Sequence, residues 1–347
     1  MSLDSQLPVI GLDIAKKVFQ LHAVDADTGE IHRRQLKRAR VAEFFANRQP
    51  SLVAIEACGS AHHWARLLLG MGHQVRLLPA KHVRAFVLRD KTDALDAQAI
   101  WTAAQQPHIQ EVPIKTRDQQ ACLSLHRMRA QLMKVRIMQT NCLRGLLYEF
   151  GVVLPEGHKK LLGSVAAALT KAQQLGQLDE AVVVSVQEQL KRIAALQEDI
   201  DTLDRRLAAM VKHNQQMATV IAIPGVGPLS ASALVATVSN FATFKSGRQF
   251  AAWLGLTPRQ VGTGGRTQQF GISKRGDTYL RHLLISGARS ILVRSAHTGW
   301  MDRLLLRRHF NVAVVALANK IARTVWSLLA KGKAFDQARW NSTVALA

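Results

Sequence analysis

The order of strands and helices near the start of the chain constrains its fold most. The sequence predicts a strand, a short break and a second strand across residues 8–25, then a third strand, EIHRRQLKR, after the turn at 25–30. Helices and strands then alternate, with a helix near 41–48, a strand at 52–57, a helix at 61–71 and a strand at 74–79. This order favours an α/β fold. The domain is predicted to span residues 1–110, because the segment QQPHIQEVP supplies turn residues at its end.

Carboxylates are scarce in this chain, so their positions are informative: 347 residues contain 46 Lys and Arg but 24 Asp and Glu. Asp13 ends the apolar segment VIGLDIAK, and Glu56 ends a second one, LVAIEACG. Asp93 and Asp96 are spaced i, i+3 in KTDALDAQAI and share one helix face. We expect the helix that carries them to pack against the sheet. Carboxylate oxygens are the ligands that Mg²⁺ prefers. The four acids together therefore predict a site for Mg²⁺ or Mn²⁺.

Each acid alone has an ordinary explanation, as a helix cap or a surface salt bridge. N-capping after Lys91 and Thr92 competes for Asp93. Asp90 is the nearest rival carboxylate, but its spacing places it off the face shared by Asp93 and Asp96. Glu56 ends an apolar strand, where an unpaired carboxylate would be costly. A shared metal explains all four positions, and paired metal ions suit phosphodiester chemistry.

The formal net charge of +22 predicts a polyanionic partner and binding that weakens as salt rises. An apolar content of 48% argues against wholesale disorder. The longest apolar run, VAVVALA at 312–318, is too short to cross a bilayer, and MSLDSQLPVIGLD enters a strand with no signal peptide. Three widely spaced cysteines suit a reducing cytosol. We expect a cytoplasmic protein.

Two long helices are predicted for the middle section, residues 111–217. The first spans 117–150 and is rich in Lys and Arg; the second follows a break at 151–164 that contains Gly and Pro. Apolar residues recur in the second helix at steps of three and four, as in a coiled coil; these are Val186, Ile193, Leu196, Ile200, Leu203, Leu207 and Met210. An intramolecular antiparallel helix pair and a dimer interface both explain this pattern.

The last section, residues 218–347, is predicted to be mostly helical and nucleic-acid binding. IPGVGPLSASALVATV at 223–238 has the Gly-x-Gly turn of helix-hairpin-helix elements, whose N–H groups can meet a phosphate, although PGVG also simply turns a chain. Residues 244–333 contain 16 Lys and Arg against two acids, Asp277 and Asp302. A final helix is predicted near 311–330, capped by Gly332.

Six segments spread over nearly the whole chain resemble the insertion-sequence 110 and 1111 transposases. They are GLDIAK, IEACGS, KTDALDA, PGVGP, FAAWLGLTPRQ and GISKRGDTYLR. These proteins are also similar to the Piv-type DNA invertases. The resemblance implies a RuvC-like (ribonuclease-H-fold) N-terminal domain, a coiled coil and a C-terminal transposase domain. The family's Asp-Glu-Asp-Asp set, which holds Mg²⁺, would be Asp13, Glu56, Asp93 and Asp96 here.

The resemblance also implies a mechanism and partners. Members are recombinases that a non-coding guide RNA (bridge or seek RNA) from their own element directs to donor and target DNA. They assemble as dimers of dimers, and the resemblance implies a bacterial protein associated with the nucleoid. A serine of the C-terminal domain attacks the phosphodiester and forms a covalent protein–DNA intermediate, and strand exchange passes through a Holliday-junction-like stage.

At the position of that serine this chain has Thr263, in GLTPRQVGTGG. A threonine hydroxyl can do the same chemistry when activated, with a more restricted χ1. Ser273 in GISKRGD is the less favoured alternative nucleophile, and a loop hydroxyl that only contacts phosphate is the ordinary explanation of Thr263. Glycines and basic residues around it predict nucleic-acid contacts, namely Arg259, Arg266, Lys274, Arg275 and Arg281.

Three functions compete for this pattern. The favoured one is an RNA-guided DNA transposase with a metal site in its first domain and a hydroxyl nucleophile in its last. The second is a RuvC-like metal-dependent Holliday-junction nuclease that uses activated water and forms no covalent intermediate. The third is a basic nucleic-acid-binding scaffold without enzymatic activity, which leaves the acids at the strand ends unexplained.

Overall fold

The computed structural model describes residues 7–87, 93–294 and 299–342. The chain divides after Arg117 into two compact units. The described elements of the first unit are β1 (Val9–Ile14), β2 (Val18–Val24), β3 (Ile31–Lys37), α1 (Val41–Ala46), β4 (Leu52–Glu56), α2 (Ala61–Gly70), β5 (Gln74–Leu78), α3 (Ala80–Val83) and α4 (Asp93–Ala104).

The five strands of the first unit form one sheet in the order β3-β2-β1-β4-β5. β1, β2 and β3 pair antiparallel, whereas β4 pairs parallel with both β1 and β5. The sequence-predicted strands and helices of this unit are confirmed to within two residues at each end. The mixed α/β fold class is confirmed for this unit.

Alternating side chains give this sheet two covered faces. One face packs Leu12, Ile55 and their neighbours against Phe45 of α1 and Trp64 and Leu68 of α2. The opposite face packs Ala54 of β4 and Leu78 of β5 against Ile100 and Ala103 of α4. The strands β1 and β4 are therefore buried on both sides, and polar side chains can reach solvent only near their ends.

The second unit is mainly helical. Its described elements are α5 (Arg117–Glu149, which begins at the unit boundary), α6 (His158–Gln174), α7 (Glu180–Lys212), α8 (Gln215–Ile221), α9 (Pro228–Val238), α10 (Gly247–Trp253), β6 (Pro258–Thr263), β7 (Arg266–Ile272), α11 (Thr278–Arg294), α12 (Gly299–Leu305), α13 (Phe310–Lys331) and α14 (Gln337–Ser342).

The long helices α5 and α7 lie side by side and antiparallel within one chain. Arg129 donates two hydrogen bonds to Asp204, one of them 3.1 Å long from Nη2 to Oδ2. Further along, Arg136 bonds Gln197 and Gln189 bonds Gln139. Most of the predicted apolar stripe of α7 is buried, with Leu196 and Met210 only partly so. The intramolecular alternative thus accounts for the stripe; a coiled coil stays a prediction.

The predicted break at 151–164 was too long. Helix α6 begins at His158, and its residues Leu161, Val165 and Leu169 pack with the end of α5 and the start of α7. Gly157 and Gly163 suggested a break, but Gly163 lies inside the helix, where burial of this apolar stripe outweighs its poor helix propensity.

Helix α13 is the central core helix of the second unit. Leu317, Ile321 and Val325 are fully buried, and Gly332 ends the helix with φ +60° as predicted. By length and composition alone α13 is long and apolar enough to cross a membrane. The uninterrupted apolar run is short, as predicted for 312–318, because Asn319, Lys320 and Arg323 interrupt it, but the helix itself continues to Lys331. We interpret α13 as a core helix because its apolar stripe is covered by protein.

Candidate active site

The acidic cluster is built by the close approach of α4 to β1. A Cβ on Gly11 would lie 2.7 Å from the backbone nitrogen of Trp101 and would collide with the carbonyl of Ala97, so only glycine fits there. Asp13 follows two positions later and points to the same face as Gly11. Ala97 and Trp101 of α4 pack against β1 at Gly11. The preceding turn of α4 therefore brings Asp93 and Asp96 beside Asp13.

Asp13, Asp93 and Asp96 each present a carboxylate oxygen within 4.8 Å of the others. Asp13 and Asp96 are half-buried, and Asp93 is exposed. A Mg²⁺–oxygen distance of about 2.1 Å separates opposite ligands by about 4.2 Å, so small side-chain rotations suffice to share one ion. The cluster therefore fits a divalent cation. Asp90, Lys91 and Thr92, which entered the competing explanations, lie outside the described residues.

Glu56 lies beside this cluster but is not one of its three members. Leu12 pairs with Ile55 in the parallel register of β1 and β4, so Asp13 and Glu56 are the next residues along adjacent strands. Both carboxylates act on one thiol: desolvation, then the charges of Glu56 and Asp13, raise the pKa of Cys58 to about 11. The structure thus brings three predicted acids together and places the fourth at the neighbouring strand end.

The segment around Thr263 is a β-hairpin, whose two strands were not predicted from the sequence. Strands β6 and β7 pair antiparallel, with Thr263 opposite Arg266 across the turn residues Gly264 and Gly265. Both glycines have positive φ, +55° and +79°, as tight two-residue hairpin turns require. Thr263 therefore lies exposed at the tip of a projecting hairpin.

Ser273 lies at the base of the hairpin and is half-buried. Its backbone nitrogen donates to the carbonyl of Thr257 over 2.8 Å. Nearby, a Cβ on Gly276 would collide with the carbonyl of Trp253, so the chain is held tightly at this end. The two candidate hydroxyls thus differ in position: Thr263 is at the free tip and Ser273 is at the anchored base.

Four of the five predicted basic contacts are exposed, but Arg281 is not. The guanidinium of Arg259 stacks 5.8 Å from the Phe270 ring centroid. Arg281 is only 8% exposed and donates to the carbonyls of Leu254 (3.1 Å) and Arg275 (3.0 Å). Its side chain ties α11 to the hairpin base, so this placement does not support the predicted phosphate contact.

The Gly-x-Gly turn at 223–228 joins α8 to α9, as expected. Gly225 has φ +81°, and a Cβ there would lie 3.0 Å from the carbonyl oxygen of Gly287 in α11. Helix α9 is buried over nearly its whole length. Close packing thus explains the glycine at 225, and the phosphate contact of a helix-hairpin-helix stays a prediction.

Sequence reasoning missed the groove along α13, lined by cations that include Arg248 and Arg323. The excess of Lys and Arg over 244–333 was a signal of it. That excess could not identify which cations share one surface.

Comparisons with known proteins match two parts of the chain to transposase families. Residues 10–151 match a DEDD-type family model described as Transposase, and residues 217–304 match one described as Transposase IS116/IS110/IS902 family. The chain is 44% identical to a probable family 20 transposase of Pseudomonas aeruginosa over 93% of this chain and 96% of the relative. It is 37% identical to the transposase for insertion sequence element IS1111A of Coxiella burnetii, over 95% and 91%, and 34% identical to that of IS1328 of Yersinia enterocolitica, over 95% and 98%.

An acidic cluster on a mixed α/β sheet, followed by a basic helical unit with these relatives, defines a DNA-processing enzyme of the transposase class. Such enzymes cleave and rejoin DNA strands, and the DEDD-type domain suggests a divalent metal. The chain belongs to the IS116/IS110/IS902 family of transposases.

Proposed function

We propose that this chain is an RNA-guided DNA transposase whose RuvC-like first unit holds Mg²⁺ and whose hairpin provides the nucleophile. The single observation that carries the proposal is the convergence of Asp13, Asp93 and Asp96 oxygens within 4.8 Å. Three carboxylates this close repel one another unless a cation or protons neutralise them. In a chain of net charge +22, this local negative site is explained by a metal.

The first unit has the parts that the proposed metal chemistry needs. Asp13, Asp93 and Asp96 would hold Mg²⁺ or Mn²⁺, with Glu56 as the fourth acid at the adjacent strand end. A bound divalent ion would polarise a phosphodiester and stabilise charge on the leaving oxygen. The rigid sheet fixes Asp13 and Glu56, whereas Asp93 and Asp96 are fixed by the packing of α4 against Gly11.

Thr263 is the proposed nucleophile, and Ser273 is the alternative. The exposed position of Thr263 at the hairpin tip gives DNA access to its hydroxyl. The Oγ–P bond forms as the P–O bond to deoxyribose breaks, Oγ loses a proton, and the departing oxygen gains one. One phosphodiester replaces another, so the bond energy is retained in the protein–DNA adduct. The strand can then be rejoined without an added energy source.

The proposal includes partners that the sequence resemblance implies. A guide RNA would carry the specificity by base pairing, so the protein itself needs few base-specific contacts. The high positive charge supports binding of both RNA and DNA. The active form would be a dimer of dimers in the cytoplasm, associated with the nucleoid. Sequencing the RNA that co-purifies with the protein tests the guide, and light scattering tests the assembly.

The nucleophile is tested by trapping the adduct on denaturing gels with labelled element-end DNA, guide RNA and Mg²⁺. We expect Thr263→Ala to abolish the adduct and Thr263→Ser to retain it. Thr267→Ala is the matched control, since Thr267 is an exposed hydroxyl in the same hairpin. Loss of the adduct in Ser273→Ala alone would transfer the role to Ser273. Nicked, adduct-free product unaffected by Thr263→Ala would instead identify a RuvC-like junction nuclease that uses water.

A further inference from the structure

A groove of about 1260 Å³ runs along one face of α13 in the second unit. Val312, Ala316, Asn319, Arg323 and Ser327 line it at steps of three and four, so they form one stripe on the helix. From Val312 to Lys331 this stripe extends for roughly 28 Å at 1.5 Å per residue. Small-molecule pockets usually enclose about 300–1,000 Å³. The groove therefore suits an extended ligand.

The charges along this groove are almost all positive. A single carboxylate, that of Asp336, lies among the described lining residues. The cations that line it come from α10 and the residues just before it, from α13 and the residues just after it, and from α14: Lys245, Arg248, Lys320, Arg323, Lys331, Lys333 and Arg339. Such an excess of one sign complements a polyanion.

Two of these cations are held close together by backbone packing. A Cβ on Gly247 would lie 3.2 Å from the Cα of Arg323, so the start of α10 lies directly against α13. Arg248 follows, and its charge adds to the effect of burial in lowering the pKa of Arg323. Adjacent guanidinium groups repel unless an anion lies between them, and a phosphate can accept hydrogen bonds from both.

Aromatic rings interleave with the cations. The Lys320 ammonium lies 4.9 Å from the ring centroid of Trp300 and 4.5 Å from that of Trp340. Trp326 is oriented by its Nε1, which donates to the carbonyl of Phe244 over 3.1 Å. Phe270 of the hairpin is 48% exposed at the edge of the groove. Trp340 is buried and Lys320 lies over two of these rings, so Phe270 is the exposed ring of the set. An exposed aromatic ring beside a positively charged groove is typical of proteins that bind single strands, because bases stack on the ring.

We propose that this groove, lined by α13, α10 and the hairpin base, binds a single strand of DNA. Phosphates would contact the cations and bases would contact the aromatic and apolar lining. A duplex fits poorly, since its base faces are covered by stacking. DNA is favoured because the family acts on DNA and rejoining requires a cleaved strand to leave its own duplex. The inference goes beyond the proposed function, because it involves neither the acidic cluster nor Thr263.

The test is fluorescence anisotropy with the full chain and labelled oligothymidylate, a DNA duplex of equal length, and oligouridylate. The double variant Lys331→Glu/Lys333→Glu removes two exposed groove cations. Its matched control is Lys159→Glu/Lys160→Glu, the same charge change on exposed residues of α6 outside the groove. We expect the groove variant to weaken oligothymidylate binding by about tenfold or more. The negative slope of log K against log salt should become shallower by about 1.4, or about 0.7 per lost phosphate contact.

A second pair of variants tests base stacking. Phe270→Ala should weaken oligothymidylate binding about fivefold or more. Val261→Ala, also exposed on the hairpin but outside the groove, should leave it unchanged. Asp96→Asn and Thr263→Ala should bind oligothymidylate as the wild type does, which separates this proposal from the catalytic one. Equal weakening by both Lys pairs, equal weakening of duplex and oligothymidylate binding by the groove variant, or tighter binding of oligouridylate would each overturn it.

Discussion

At the scale of the residue, the acidic cluster makes the metal measurable without any DNA. Asp13, Asp93 and Asp96 repel one another in the metal-free protein, so Asp96→Asn should raise the metal-free Tm, by about 2 °C. Mg²⁺ should raise the Tm of the wild type and shift that of the variant far less, because binding to the folded state alone stabilises it. Differential scanning fluorimetry over a Mg²⁺ titration measures both effects. Equal Mg²⁺-dependent shifts in Tm in the two proteins would contradict the assigned ligands. We also expect Asp96→Asn to lose DNA cleavage.

Gly11 is the residue that allows the cluster to form. Gly11→Ala should destabilise the protein by about 1–3 kcal/mol, since its Cβ would overlap the backbone of α4 at Ala97 and Trp101. The displaced helix should also weaken the Mg²⁺-dependent shift in Tm. Gly70→Ala is the control, because a Cβ at Gly70 meets nothing within 4 Å. Urea unfolding gives the stability. Wild-type stability in Gly11→Ala would show that β1 and α4 are less closely packed.

At the scale of the element, one buried histidine joins three helices of the second unit. His126 of α5 is 2% exposed, with Nε2 3.0 Å from Ser232 Oγ in α9 and Nδ1 3.0 Å from the Tyr279 hydroxyl in α11. Because Ser232 Oγ donates to the Pro228 carbonyl (2.7 Å), it accepts from Nε2–H, and Nδ1 accepts from Tyr279. The neutral imidazole is thus satisfied, and burial followed by the charge of Arg129 lowers the pKa of His126 to about 4.

That pKa predicts how stability depends on pH. The unfolded state, with a pKa of 6.5, takes up the proton first, so stability falls as pH decreases from about 6.5 towards 4. Between pH 7.5 and 5 this one group should cost about 2 kcal/mol. His126→Gln should reduce the loss seen in urea unfolding, whereas His108→Gln, an exposed control, should not. An unchanged pH dependence in His126→Gln would show that His126 is protonated without penalty.

The elements also show which parts of this fold sequence reasoning can find. Strands β1, β4 and β5 were found because apolar residues with β propensity end at clear turn signals. The hairpin β6–β7 was missed because nearly all of its side chains face solvent, so no alternation distinguishes its two faces. Similarly, the acids at strand ends were visible in the sequence. The burial of Arg281 was not visible in the sequence, because the residues next to it in the chain do not show that its guanidinium donates to backbone carbonyls.

At the scale of the whole molecule, the charge of +22 should dominate DNA affinity and make it steeply dependent on salt. Residues 244–333 contain 16 cations against two acids, and the ten cations that lie outside the groove suggest six or more phosphate contacts with a duplex. With about 0.9 counterions released per contact, duplex affinity should fall about a thousandfold or more between 50 and 200 mM salt. Anisotropy across that range, with Mg²⁺ omitted, gives the slope. A slope shallower than about −3 would mean that few of these cations contact phosphate, and that the excess charge serves some end other than holding DNA.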